Sequence, residues 1–251
     1  MDVIIVVAIA CLLIGLSKGG LGGPVPVALV TPLMSQVMPA SQAVGIALPL
    51  LIFADLFALR MYWRKWDGRQ VRLMLPAGLI GVVMGSLLLL TLANSGQNIT
   101  LRRILGMFTL LVVIYKAVDN RLSSIHYMPR DWHGYLAGWA SGFGSALANV
   151  GAPPFTAYML LQNYTPSVFI GTTTLFFAII NAAKLPGVLS SQNVLNLEQF
   201  ASILWAVPLI PLGVWLGRRF IEVINPKAFE TLMLVLLFGA SLMLLFSSPA
   251  A

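Results

Sequence analysis

Hydrophobic residues come in long runs that almost no charge interrupts, and nothing else in the sequence restricts the fold so severely. Ten apolar segments can be marked: Val3–Leu16, Val25–Met38, Gln42–Trp63, Val71–Leu92, Leu101–Val118, His133–Leu147, Phe155–Gln162, Pro166–Leu189, Phe200–Phe220 and Ala228–Phe246. Several reach the ~20 residues a helix needs to cross a hydrocarbon core of roughly 30 Å. With 59% of residues hydrophobic and 9% charged, the chain carries more apolar surface than a soluble domain can use. The expected class is an all-α polytopic membrane protein.

The most unusual stretch is Ser17-Lys18-Gly19-Gly20-Leu21-Gly22-Gly23-Pro24. It separates two segments of about fifteen residues, each spanning only ~22 Å as a helix and so too short to cross alone. Four glycines, a proline and a lysine between undersized helices describe a backbone broken at membrane depth. Lipid cannot satisfy the freed N–H and C=O groups, so such a break must be buried in protein or line a watery cavity.

The second half repeats the plan. Gly138–Pro154 answers Gly15–Pro26, Thr165–Gly171 answers Pro39–Gly45, and Pro208–Gly217 answers Pro76–Gly85; this register sets Asp55 opposite Asn181. The expectation is a first repeat over 1–118, a polar cytoplasmic linker over 119–132 and a second repeat over 133–251. Each repeat has about five segments: a short broken or re-entrant pair and three full spans. Basic residues then orient the halves. The loop holding Arg60, Arg64, Lys65, Arg69 and Arg72, the linker with Lys116, Arg121 and Arg130, and the loop Arg218–Lys227 are expected inside. Ser190–Glu198 has no Lys or Arg and belongs outside, as does the neutral Ala93–Thr100, although Arg102 and Arg103 just beyond it are discordant. Equivalent loops on opposite sides make the halves inverted and put both termini outside. Inverted repeats with broken helices are a transporter plan, with the site near the midplane.

These motifs, above all Gly15-Leu-Ser-Lys-Gly-Gly-Leu-Gly-Gly-Pro24, the Pro39–Gly45 turn and their second-half copies, resemble the TauE/SafE family of sulfite exporters, also grouped as 4-toluenesulfonate uptake permeases. The resemblance covers essentially the whole chain. It implies a secondary transporter in the cell (inner) membrane, moving small anions such as sulfite, sulfoacetate, other sulfonates or carboxylates. The second break departs from the first: Asn149-Val150-Gly151-Ala152-Pro153-Pro154 stands where the first has Gly22-Gly23-Pro24.

An anion needs N–H donors and positive charge, and helix N-termini supply both. The helices starting near Pro24 and Pro153 are expected to face each other around the substrate. Gly19, Gly20, Gly22, Gly23, Gly144 and Gly151 would let it approach the backbone, unless they serve close helix packing. Lys18 would be the fixed cation; the alternative is a lysine reaching back to the interface. Ser17, Ser141 and Ser145 could donate to oxyanion oxygens or bond back to their own helices. Asn149 offers two donors in the second break. Asp55 is expected either to pair with Lys184, beside Asn181, or to bind a coupling proton. Gln42 and Ser41, with Thr172, Thr173 and Thr174 in the matching half, would line the same cavity or serve as interhelical hydrogen bonds.

Several classes are set aside. The net charge of +7 sits in short loops, where it orients a membrane protein, so no nucleic acid partner is expected. Cys11 is alone, and the first segment lacks a positively charged leader, so it is taken as a span and not a removable signal. The only histidines, His126 and His133, lie in or beside the linker, and no HExxH, Cys/His cluster or carboxylate pair occurs in the apolar segments. No enzyme chemistry, metal or cofactor is expected. The rival is a passive anion channel. Proton coupling or membrane-potential-driven export is favoured, and the oligomeric state, a homodimer included, is left open.

Overall fold

The computed structural model describes residues 2–21, 25–122, 130–162, 164–220 and 226–246. All regular structure among them is helical: α1 (Val3–Lys18), α2 (Val25–Met34), α3 (Ala40–Met61), α4 (Gly68–Asn94), α5 (Asn98–Leu122), α6 (Asp131–Ala148), α7 (Ala152–Leu160), α8 (Pro166–Leu189), α9 (Leu197–Ser202), α10 (Leu209–Phe220) and α11 (Pro226–Phe246). Among the described residues, four helices are long and apolar enough to cross a membrane: α3, α4, α5 through Tyr115, and α8 from Ser167. Large apolar side chains such as Ile80, Val83, Trp215, Leu232 and Val235 face outward, as lipid contact requires. The chain is a polytopic helical membrane protein.

The helix boundaries follow local chemistry. Asp67 caps α4, accepting from the N–H groups of Arg69 and Gln70. Its carboxyl is raised by partial burial, but hydrogen bonds from Tyr164 and from the Arg69 and Gln70 N–H groups, with the Arg69 charge, outweigh that and hold it below its ordinary value. The expected full span Phe200–Phe220 is broken instead: α9 ends at Ser202, a 3₁₀ turn covers Leu204–Ala206, and α10 begins at Leu209. Pro208 and Pro211 have no N–H to offer Leu204 and Val207, so the ladder is interrupted there. The expected linker is also shorter in coil, because α5 runs to Leu122 and α6 starts at Asp131. Residues 123–129 of that linker, 221–225 of the basic loop, and Gly22, Gly23 and Pro24 of the first break lie outside the described residues.

Packing exchanges elements between the halves. The first helix of each half lies on a later helix of the other, α1 on α10 and α6 on α4. Both crossings bring backbone onto backbone. A Cβ on Gly142 would stand 1.9 Å from the Gly78 carbonyl oxygen and one on Gly81 2.2 Å from that of Trp139. At the other crossing, a Cβ on Gly15 would stand 2.3 Å from the Ile210 oxygen and one on Gly19 2.5 Å from that of Val214. Small residues at four-residue spacing are the usual means of such close approach in lipid. The starts of α3 and α8 are seated in the same exchanged way. Gly45 abuts the Val194 carbonyl and Ser41 donates to the Asn193 carbonyl at 2.7 Å. Reciprocally, Gly171 abuts the Lys65 carbonyl and the Thr172 hydroxyl accepts the Asp67 N–H at 2.9 Å.

Arg102, discordant as a loop charge, is 8% exposed and turned inward. It donates to the Ser35 carbonyl at 3.0 Å and to Gln36 Oε1 at 3.1 Å, binding the C-terminal end of α2.

Candidate functional site

Each break is made by a left-handed residue behind a short helix. At the first, Gly20 takes φ of 103°, with its N–H bonded to the Ser17 carbonyl and the Leu21 N–H to that of Leu16, a Schellman ending. At the second, Asn149 takes φ of 57° and its N–H bonds the Ser145 carbonyl. Asparagine tolerates that region better than most residues, which explains how the second break forms with fewer glycines. The first ending leaves Lys18 in the last turn of α1, a helix two residues longer than the apolar segment that predicts it.

Lys18 Nζ lies 2.5 Å from Asp55 Oδ1. The other oxygen, Oδ2, accepts from Asn181 Nδ2 at 2.7 Å. Asn181 Oδ1 in turn accepts from Lys184 Nζ at 3.1 Å, and Lys184 also donates to Asn149 Oδ1 at 2.8 Å and to the carbonyl and hydroxyl of Ser145 at 2.9 and 3.1 Å. The residues expected to form a direct Asp55–Lys184 pair are thus in one network, but the ion pair of Asp55 is with Lys18. Lys184 stands one helical turn beyond Asn181, so the asparagine reaches Asp55 first and the lysine binds the asparagine. Lys184 is 1% exposed and Asp55 also 1%, so the network crosses the protein interior.

A cavity of about 150 Å³ opens beside this network. Ser17, Lys18 and Gly20 from the first break, Ser145, Asn149 and Gly151 from the second, and Asn181 supply the polar wall. The first turns of α2 (Val27, Ala28) and α7 (Ala152, Pro153) both border it, so the two post-break helices start at one cavity. Phe169, Ile170 and Phe177 from α8 with Leu51 from α3 make an apolar side, and Thr173 and Thr174 also line it. No sequence signal distinguishes those apolar wall residues, or Thr156 beside them, from ordinary packing.

Other expected site residues lie elsewhere. Gly19 is spent on the α10 crossing, and Gly144 fits under the Val150 carbonyl; neither borders the cavity. Ser141 is fully buried away from it. Thr172 serves the Asp67 loop and Gln42 does not reach the cavity wall. Asn149 borders the cavity, yet its two N–H donors are taken by Thr31 Oγ1 at 3.2 Å and the Val44 carbonyl at 3.0 Å. It cannot offer them to a ligand as expected, and instead binds the break to α2 and α3. Among the described residues no group of three His, Cys, Asp or Glu side chains is arranged to hold a metal.

Searches of curated proteins and of solved structures each found no match. The family model described as sulfite exporter TauE/SafE matches residues 7–244. With nearly the whole chain covered, the protein belongs to the TauE/SafE sulfite exporter family.

Proposed function

We propose that the chain is a secondary transporter, in the exporting direction, for small organosulfur anions such as sulfite, sulfoacetate or other sulfonates, working by alternating access. The observation that carries this is a lysine ammonium at the wall of a cavity between two broken helices, paired on its buried side with a carboxylate. An oxyanion there would meet Lys18, the Ser17 hydroxyl, and the N-terminal ends of α2 and α7, all favourable to negative charge. The apolar wall of Phe169, Ile170 and Phe177 suits the carbon chain of a sulfonate.

The repeats 1–118 and 133–251, joined through 119–132, are taken as inverted, with the basic α3–α4 loop inside and both termini outside the cell (inner) membrane. The exchanged helix crossings and the exchanged seats of Gly45 and Gly171 support this. Alternating access has its own support. The α8 positions that line the cavity, 169, 170, 173, 174, 177 and 181, correspond in the repeat register to 43, 44, 47, 48, 51 and 55 on α3. Those α3 residues are at most 4% exposed. The α8 stripe borders the cavity along its length, whereas its α3 counterpart is shut away from it but for Leu51, as expected of a carrier and not of a continuous pore.

Uptake of radiolabelled sulfite and sulfoacetate into proteoliposomes tests the reading. Saturable, counterflow-competent uptake that falls in Lys18→Ala is expected. Uptake without saturation or counterflow would make the protein a channel, and no uptake of either anion would remove the substrate class.

A further inference from the structure

We infer that Asp55 is the proton site of the transport cycle: a substrate anion in the cavity draws Lys18 away from Asp55, and Asp55 binds one proton as Lys18 leaves. This rests on the reading of the cavity as the anion site, and adds to it what the anion must travel with.

The two members of the ion pair are unequally placed. The Lys18 side chain is 16% exposed and lines the cavity, whereas that of Asp55 is 2% exposed and does not. An anion in the cavity therefore meets the ammonium and not the carboxylate. Asp55 cannot follow Lys18 toward the ligand without giving up the Asn181 hydrogen bond at 2.7 Å, and Asn181 is itself held by Lys184 at 3.1 Å. The anion and Asp55 thus compete for one ammonium. If both stay ionised, two negative charges flank one positive charge where little water screens them. A proton on Asp55 Oδ1, the oxygen that Lys18 vacates, removes the conflict.

The step balances simply. An O–H bond forms on Asp55 with a proton from water at the cavity mouth, Lys18 keeps its three N–H bonds, and no other bond changes. When the anion departs, the proton leaves and the Lys18–Asp55 pair closes, so the empty carrier holds an internal substitute for substrate. A monovalent anion would then move with no net charge and a divalent one with a single negative charge.

The charged groups facing Asp55 are few. From α1 there is Lys18, and from α8 there is Lys184 acting through Asn181. On α10, Arg218 and Arg219 lie in the exposed last turn, and Arg218 Nη1 is 3.9 Å from Met61 Sδ at the far end of α3. Arg102 of α5 is engaged with Ser35 and Gln36, and α2 carries no charge.

The test uses purified full-length protein in weakly buffered detergent solution, with sulfoacetate as ligand and a pH indicator. About one proton taken up per anion bound is expected, with affinity weakening about tenfold per pH unit at the alkaline end. Asp55→Asn should bind without proton uptake and without that pH dependence, and Asp55→Glu should restore both. Binding by the wild type with no proton uptake overturns the inference and leaves the anion site standing. Proton uptake that persists in Asp55→Asn also overturns it. Absence of any anion binding by the wild type overturns both. Should the asparagine variant not fold, binding by the wild type without proton uptake still overturns the inference.

Discussion

Asn181 donates to Asp55 across 2.7 Å, and each stands ten residues beyond the glycine that seats its helix, Gly171 for one and Gly45 for the other. Two positions equivalent in the repeat register therefore touch each other. One carries a carboxylate and the other an amide, so the contact is where the halves differ in charge. Lys18 approaches on the acid side and Lys184 on the amide side, which makes this pair the centre of the polar network.

The Lys18–Asp55 pair separates stability from transport. Lys18→Ala leaves a buried carboxylate without its partner and should cost about 3 kcal/mol or more. Adding Asp55→Asn removes the stranded charge, so thermal unfolding in detergent should recover most of the loss. Saturable anion uptake should stay low in the double variant, because the cation is still missing. Recovery of both together would reduce Lys18 to a structural role.

Glycine substitutions should divide by what a methyl group would meet. Gly142→Ala forces a Cβ onto the Gly78 carbonyl at 1.9 Å, and Gly15→Ala onto that of Ile210 at 2.3 Å. Overpacking at a backbone contact should destabilise by about 1–3 kcal/mol or prevent assembly. Gly239 has nothing within 4 Å, so Gly239→Ala should be neutral or stabilising by about 0.5–1 kcal/mol, as for an unstrained helical site. Monodispersity and melting temperature of the purified variants distinguish the two groups.

The Asp67 cap predicts an acid-side effect. Its folded pKa lies below its ordinary value of 3.8, so its stabilisation is fully present above that value. It is lost as pH falls through the lower, folded value. Wild-type melting temperature should therefore decline on strong acidification, and Asp67→Asn should flatten that decline while lowering stability near neutral pH. A decline of equal steepness in the variant would remove Asp67 as its source.

Thiol accessibility should follow the two stripes. In a Cys11→Ser background, a cysteine at Thr173 on the open stripe should react readily with a small charged thiol reagent. A cysteine at Ala47, its shut counterpart, should react slowly and become faster during turnover with sulfoacetate. Equal, ligand-independent rates at both positions would contradict alternation between the stripes.

Much of the architecture is legible in the residues alone. Long apolar runs define the spanning helices, and glycine and proline mark both breaks, because these features act over a turn or two of chain. The interrupted α9–α10 region shows the limit. Its hydropathy matches that of a continuous span, and only Pro208 with Pro211 hints at the missing hydrogen bonds; Pro76, by contrast, sits inside the unbroken helix α4. The glycines show the same limit in function. Gly19 and Gly20 are adjacent and chemically identical, yet one packs under α10 and the other lines the cavity. Which way each points depends on where α1 ends and what crosses it.

The sequence by itself determined that the chain is a helical membrane protein, where its helices break, and that Lys18, Asp55, Asn181 and Lys184 are among the polar groups its interior must accommodate. Only the tertiary structure decided that Asp55 pairs with Lys18 and reaches Lys184 through Asn181, and that Asn149 has no donor left for a ligand. The reason is physical. Apolar burial depends on composition summed along a segment and survives small shifts of register. A hydrogen bond between residues 126 positions apart depends on a few tenths of an ångström, set by every helix crossing between them.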